Sequence, residues 1–566
     1  MAASLLESVK PSRTLADPAW QRYVFWCGIA AIACAWFLTL DARHLLRSDE
    51  GRYAEIAREM VATGDWVTIR YNGVKYFEKP PLQMWMTALA YEAFGVGEWQ
   101  ARLWVAISGA LGIVMTMVAA RRWFGTSVAA LAGAVLLAAP GWNLGSHFNS
   151  LDMGVSAALA CVLASVLMAQ HPSASPASRR GWMGFAWVWM AIAVLTKGLI
   201  GIALPGLVLV VYTVVARDFA IWRRIHLVSG ALLMLAIAAP WFVLISSRNP
   251  EFAQFFFIHE HWQRYLSTVH GREGPWWYFV PLVVGGFLPW LGLGGRMAIV
   301  VRDGSRGAGF RPVLLVAIWA LAIFVFFSAS SSKLPGYILP VFPALALLAA
   351  LALDRLTPTQ WRRHLIGAVV IVAALLAATP LLDRFATTSA QAAAYRSFAM
   401  WLGAGCVIAL VGLVVAWRVN ARDPRRSMVV YALAMFLMAT AVLRGHEAFG
   451  RRSSGADLVT AIDAAAGPDV PIYSVRMLDH TLPFYLRRTT IMVEVPDELE
   501  FGLQQEPGQW LPTLAAFEQR WTSGPHALAL MAHDTYQTLR ERQLPMTMVA
   551  EDDKRVVVAN FESSRR

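Results

Sequence analysis

The chain has 566 residues, of which 57% are hydrophobic and 15% charged, with 24 tryptophans and a formal net charge of +12, and its mean hydropathy is positive. That is more apolar surface than a soluble core needs, so an ordinary soluble globular protein is excluded and a polytopic membrane protein is indicated. The basic residues are spread over short loops beside apolar runs, as the positive-inside bias produces, so the net charge does not point to nucleic acid.

The apolar runs are about 20 residues long, enough to cross roughly 30 Å of hydrocarbon, which implies helices rather than a barrel. The first, Tyr23 to Leu40, follows a weakly basic segment (Lys10, Arg13, Arg22) and has no clear small-residue cleavage site after it. It reads as an uncleaved signal anchor with a cytoplasmic N-terminus. Residues 47–60, RSDEGRYAEIAREM, carry Tyr53, Ile56, Ala57 and Met60 at three- and four-residue spacing and predict a short amphipathic helix. Ser48 or Asp49 is its expected cap, and Glu55, Arg58 and Glu59 its expected solvated face.

Residues 82–94 are apolar but short, and are read as a juxtamembrane helix. About thirteen spans then follow, at 22–40, 101–120, 127–140, 151–170, 182–196, 199–216, 227–247, 277–295, 312–328, 337–353, 364–381, 398–417 and 427–443. This count places Arg121 and Arg122, Arg179 and Arg180, Arg217 with Arg223 and Arg224, Arg302 with Arg306 and Arg311, Arg362 and Arg363, and the Arg422, Arg425 and Arg426 cluster on the cytoplasmic side. All four cysteines (Cys27, Cys34, Cys161, Cys406) lie in apolar runs and offer no disulfide framework. The expected architecture is a polytopic α-helical membrane domain, residues 1–443, with a large first outer loop at 41–100, and a soluble α/β domain, residues 444–566. In the latter, VPIYSVRM, TIMVEV, HALALMAH and KRVVVAN read as strands.

The outer loops hold the chemistry-bearing residues. Each has a plain structural reading: Asp152 as a helix cap, Lys197 and Lys333 as snorkelling lysines, Glu78 and Lys79 as a local pair before Pro80 and Pro81, and His259, Glu260 and His261 as loop decoration. Their convergence on one face, beside spans nearly free of charge, argues instead for a reaction in which a charged headgroup reacts while an apolar tail stays in lipid. A transporter places its ionisable groups nearer the bilayer midplane.

SDEGRYAEIAREM, GDW, YFEKPP, the pair Arg102–Leu103, TKG and KLPGYILP, in this order over about residues 45–340, resemble the bacterial lipid-dependent glycosyltransferases of the GT-C class, which include the undecaprenyl phosphate aminoarabinose (lipid A) transferases and the protein mannosyltransferase-like group. The resemblance implies a multi-pass protein of the bacterial inner membrane with a periplasmic active site, an undecaprenyl phosphate-linked sugar donor and a lipid A acceptor. It implies Asp49 as the acidic residue of the first outer loop and Asp152 as the second acidic site, with Glu78 beside them. Arg52, Tyr53 and Tyr337, inside the matching motifs, join the expected substrate binders.

A polyprenyl phosphate sugar leaves a phosphate behind, and the cations suited to it are Lys79, Lys197, Arg264 and Lys333. No nucleotide is needed and no Gly-rich phosphate loop is present. Glu78 and His259 are candidate ligands of a divalent metal, zinc or magnesium, on ligand type. The other readings left open are transfer of another polyprenyl-linked sugar to a protein or glycan hydroxyl, and a polyprenyl lipid flippase.

The expected topology has a direct test. A reporter fused after Arg444 is active outside the cytoplasm and one fused after Arg122 is active inside; the reverse at either site overturns the thirteen-span reading.

Overall fold

The structure, a computed structural model, describes residues 19–263, 274–307 and 309–562. Among them eight helices are long and apolar enough to cross a membrane, or nine if the pair Phe279–Gly286 and Leu288–Gly304, bent by 87°, is one span. The chain is thus a multi-pass membrane protein. The elements that position the site are α1 (Ala19–Leu38), α2 (Asp49–Thr63), the hairpin β1 (Arg70–Tyr71) and β2 (Val74–Lys75), α3 (Leu82–Phe94), α4 (Glu98–Phe124), α5 (Thr126–Ala138), α6 (Pro140–Gly145), α7 (Leu151–Gln170), α8 (Pro176–Lys197) and α9 (Ile200–Ala216). Two expected spans, α5 and α9, are helices of only 13 and 17 residues.

The core is centred on α7, whose apolar window is 94% buried. Beyond Asp152 it carries no charge and is rich in small residues, among them Gly154, Ser156, Ala157, Ala160 and Ala164. Small side chains let α4 and α8 pack closely against it where the lipid supplies no hydrophobic drive. The peripheral helices Pro358–Phe385 and Ser389–Asn420 are only 17% and 22% buried. Their exposed valines and isoleucines, such as Val370, Ile371, Val411 and Val414, suit contact with acyl chains.

The C-terminal segment folds around a six-stranded sheet of order β5-β4-β3-β6-β8-β7. Its strands are β3 (Ile472–Val475), β4 (Ile491–Val493), β5 (Trp510–Leu511), β6 (Leu528–Met531), β7 (Thr547–Glu551) and β8 (Val556–Ala559). The first four in that order run parallel, and β8 and β7 are antiparallel. The four expected strands are present as β3, β4, β6 and β8. The unexpected ones, β5 and β7, are part-exposed and lack a continuous apolar run.

This sheet unit sits on α2, and that corrects the expected solvated face. A Cβ added at Gly51 would lie 2.1 Å from the carbonyl oxygen of His480, so glycine alone lets α2 approach that backbone. Asn72, at the hairpin turn with φ of 53°, donates to the Thr490 carbonyl at 2.8 Å and accepts from the Thr490 N–H at 2.7 Å. Under this cover Glu55 is 0% and Glu59 4% exposed. Glu55 accepts two bonds from Arg58 at 2.7 and 2.6 Å. Glu59 accepts from the N–H groups of Asn72 and Gly73 at 2.6 and 2.9 Å, tying the hairpin to the helix. Ser48 is the N-cap residue of α2, but its side chain makes no capping bond.

Glu59→Ala leaves two N–H groups without acceptors, at about 1–3 kcal/mol for each one that stays buried, and is expected to lower the thermal unfolding midpoint in detergent. Burial pushes the Glu59 carboxyl up to about 8. Because that lies above the unfolded value, the wild type loses stability progressively as pH rises from the ordinary carboxylate range to about 8, a loss that Glu59→Ala lacks. A pH profile unchanged by the substitution would return this helix face to solvent.

Candidate active site

The site is built around Glu50, which is 2% exposed. Its carboxylate accepts from Arg43 Nη2 at 3.0 Å and Arg102 Nε at 2.9 Å, and from the N–H groups of Leu46 and Asn149 at 3.0 Å each. Burial pushes this carboxyl up, but Arg102 and Arg43 outweigh it and hold it well below the usual carboxylate range. The remaining guanidinium hydrogens of Arg102 go to the carbonyls of Leu40, Arg43 and His44 at 2.7, 2.8 and 3.1 Å. One buried anion therefore fixes the exit of α1, the start of α2, the first turn of α4 and the loop before α7.

Its neighbour Asp49 is more exposed. The Asp49 side chain is 36% exposed, with Arg52 Nη1 at 3.3 Å as its ion-pair partner. It lines a cavity of about 690 Å³ together with Asn149, Asp152 and Gly336, closed on another side by Leu339 and Phe342. A second cavity of about 200 Å³ is lined by Glu78, Lys79, Asp152, Lys197 and Tyr337. Asp152 and Gly336 belong to both walls.

Asp152 comes from the first turn of α7 and Lys197 from the last residue of α8, and the two form an ion pair. The Lys197 ammonium also lies 4.3 Å from the centre of the Tyr337 ring. Gly336 makes room for this arrangement, since a Cβ there would lie 2.3 Å from Asp152 Oδ2. The helix cap of α7 is Ser150, not Asp152. Lys79 Nζ donates to the Glu78 carbonyl at 3.0 Å and lies 3.4 Å from its carboxylate.

The other expected residues are placed differently. Lys333, 5% exposed, donates to the carbonyls of Ser328 and Ser330 at 2.8 and 2.6 Å, around the end of helix Pro312–Ala329. A cation is stabilised there by the unpaired carbonyls of the last turn. Tyr53, 2% exposed, packs in the helical core. Arg52 is 3% exposed, with its Nε 2.6 Å from Glu498 Oε1. Arg264 and the side chain of His259 lie outside the described residues, and among the described residues no three His, Cys, Asp or Glu groups converge as metal ligands.

Sequence reasoning missed Glu498 and His480, which the sheet unit brings onto α2. Burial pushes the Glu498 carboxyl up to about 7, opposed by Arg52. Burial drives His480 down to about 3, keeping it neutral beside the Tyr71 hydroxyl at 2.9 Å. Nothing in their local sequence separates them from surface residues. The site thus offers cations for a phosphate, two carboxylates at different exposures, and an apolar wall for a lipid chain.

Residues 78–244 match the family described as dolichyl-phosphate-mannose-protein mannosyltransferase, and residues 458–560 match the aminoarabinose transferase C-terminal domain. An undecaprenyl phosphate-alpha-4-amino-4-deoxy-L-arabinose arabinosyl transferase of Aeromonas salmonicida is 33% identical over 61% of this chain and 64% of its own length. Its counterpart in Pseudomonas aeruginosa PAO1 is 33% identical over 58% of this chain and 59% of its own. The matches thus span less than two thirds of the length of these curated relatives. The fold is shared with the archaeal oligosaccharyltransferase of Archaeoglobus fulgidus, with a TM-score of 0.52, 13% identity and coverage of 90% of this chain and 70% of that one. The crystal structure of ArnT from Cupriavidus metallidurans bound to undecaprenyl phosphate superposes with a TM-score of 0.91 at 52% identity, covering 96% of this chain and 99% of that one. With the two sequences and folds agreeing over nearly their whole lengths, the protein belongs to the ArnT family of GT-C glycosyltransferases.

Proposed function

We propose that the protein moves 4-amino-4-deoxy-L-arabinose from undecaprenyl phosphate to a phosphate of lipid A at the periplasmic face of the inner membrane, an activity that gives polymyxin resistance. The observation that carries this reading is the pair of adjoining cavities, one with Lys79 and Lys197, the other with Asp49 and an apolar wall, joined at Asp152. The likeness to a protein holding undecaprenyl phosphate supports the donor.

In this reading the bond between the anomeric carbon and the donor phosphate oxygen breaks, and a bond from that carbon to a lipid A phosphate oxygen forms. The donor diester becomes a monoester while the acceptor monoester becomes a diester, so charge moves from one phosphate to the other. Lys79 and Lys197 stabilise the charge that develops on the leaving phosphate. The acceptor is already largely anionic near pH 7, because its second pKa is about 6. A strong general base is therefore unnecessary. Asp49 then stabilises positive charge at the anomeric carbon or holds the cationic amine of the sugar, and Asp152 orients Lys197.

A divalent ion held by Glu78 and His259 belongs to the same proposal. It would supply a further positive charge for the leaving phosphate.

Asp49→Asn keeps the size of a half-exposed side chain and removes only its charge, so it is expected to abolish transfer with little change in thermal stability. Lys79→Ala is expected to do the same. Lys197→Ala leaves Asp152 without its counter-charge, which is destabilising in itself; Lys197→Met with Asp152→Asn removes both charges and separates folding from transfer. Lipid A mass and polymyxin survival in cells lacking their own transferase are the measurements, and an active Asp49→Asn enzyme defeats the assignment. Full transfer after exhaustive chelation would remove the metal from it.

A further inference from the structure

A third cavity, of about 430 Å³, lies where the chain breaks between Phe279–Gly286 and Leu288–Gly304. The 87° bend leads into Pro289, whose carbonyl accepts from the Tyr431 hydroxyl at 2.8 Å and pairs with His364 Nε2 at 3.0 Å. The bend is therefore held by specific bonds from two other helices, Pro358–Ala378 and Pro424–Gly445, which wall the cavity. Along the first of these the lining runs from Gln360 to Leu375, about 22 Å at the helical rise of about 1.5 Å per residue. That exceeds the roughly 15 Å of one leaflet's hydrocarbon, so an extended acyl chain fits along it. Met435 and Met438 on the second helix add an adaptable apolar surface.

The mouth of this slot is cationic. Arg296 and Arg363 line it, both are exposed, and the lining contains no Asp or Glu. Neither arginine forms an ion pair among the described residues. The mouth lies on the face away from the sugar-transfer site: Tyr337, near one end of the helical run Pro335–Asp354, lines the site, while Leu356, just past its other end, lines the slot. The deep end of the slot shares only Pro140 and Leu144 with the Asp49 cavity. Basic pockets between transmembrane helices recognise anionic lipid headgroups.

We infer that this slot binds an anionic glycerophospholipid of the leaflet opposite the active site, with its phosphate at Arg296 and Arg363 and one acyl chain lying along Gln360 to Leu375. The bound chain completes the packing that the broken helix leaves undone. The arginines select the headgroup.

The test uses the full-length protein in detergent, titrated with phosphatidylglycerol, phosphatidylcholine or undecaprenyl phosphate, and read by native mass spectrometry and by thermal unfolding. Wild type is expected to retain phosphatidylglycerol at least tenfold over phosphatidylcholine and to gain thermal stability from it. The double variant Arg296→Ala/Arg363→Ala is expected to lose that preference. Gly367 lines the slot and has no atom within 4 Å of an added Cβ; Gly367→Phe is therefore expected to fill the slot and exclude lipid without disturbing the fold. Equal retention of the two phospholipids by wild type, undiminished phosphatidylglycerol on either variant, or retention of undecaprenyl phosphate in its place would overturn the assignment.

Discussion

The carboxylate of Glu50, buried between Arg43 and Arg102, is the contact on which the geometry of the site depends. A lone carboxylate at that depth would carry a large desolvation cost and would protonate instead. Two guanidinium groups and two backbone N–H groups reverse that balance, and both guanidiniums also donate to carbonyls of the same junction. The carboxylate is thus held from four sides, the kind of pairing under which a buried charge network becomes rigid rather than costly. Four chain segments that hydropathy alone would leave free to slide are pinned to one point.

Asp49 stands next to that pinned carboxylate. Consecutive residues at the start of a helix point in directions about 100° apart. Glu50, held by its arginines, and Asp49 both line the cavity that Asp152 and Gly336 also line, and Asp49 is the more exposed of the two. The same logic runs through α7 and α8. Asp152 and Lys197 lie at opposite ends of their helices in sequence, yet antiparallel packing against a small-residue face brings them into contact.

Much of this was legible in the sequence, for identifiable reasons. Spans announce themselves by length and apolarity, and the strands that formed as expected are the ones buried along every residue or nearly so, such as Ile472–Val475 and Val556–Ala559. The helix at 49–63 was legible from its apolar spacing, but the fate of its charged face was not. Periodicity says which residues share a face, not what covers it. The cover comes from residues more than 400 positions downstream, as in the Asn72 to Thr490 bonds. Glu55 and Glu59 look solvated in any local window and are buried in the fold. Lys333 illustrates the converse: a lysine in a motif that reads as anion-binding donates to the carbonyls of its own helix end.

The covering of α2 by the sheet unit also sets the partners of Arg52. Arg52 stands between Asp49 on the cavity side and Glu498 on the sheet side. Its charge is shared between a residue of the membrane half and one of the C-terminal half. Arg52, 3% exposed, thus has a carboxylate on each side, at 3.3 Å from Asp49 and 2.6 Å from Glu498. Burial pushes the Glu498 carboxyl up while the Arg52 guanidinium opposes it, so the two buried groups set each other's charge state. The downstream sheet unit thus supplies one partner to a buried arginine whose other partner, Asp49, lines the cavity.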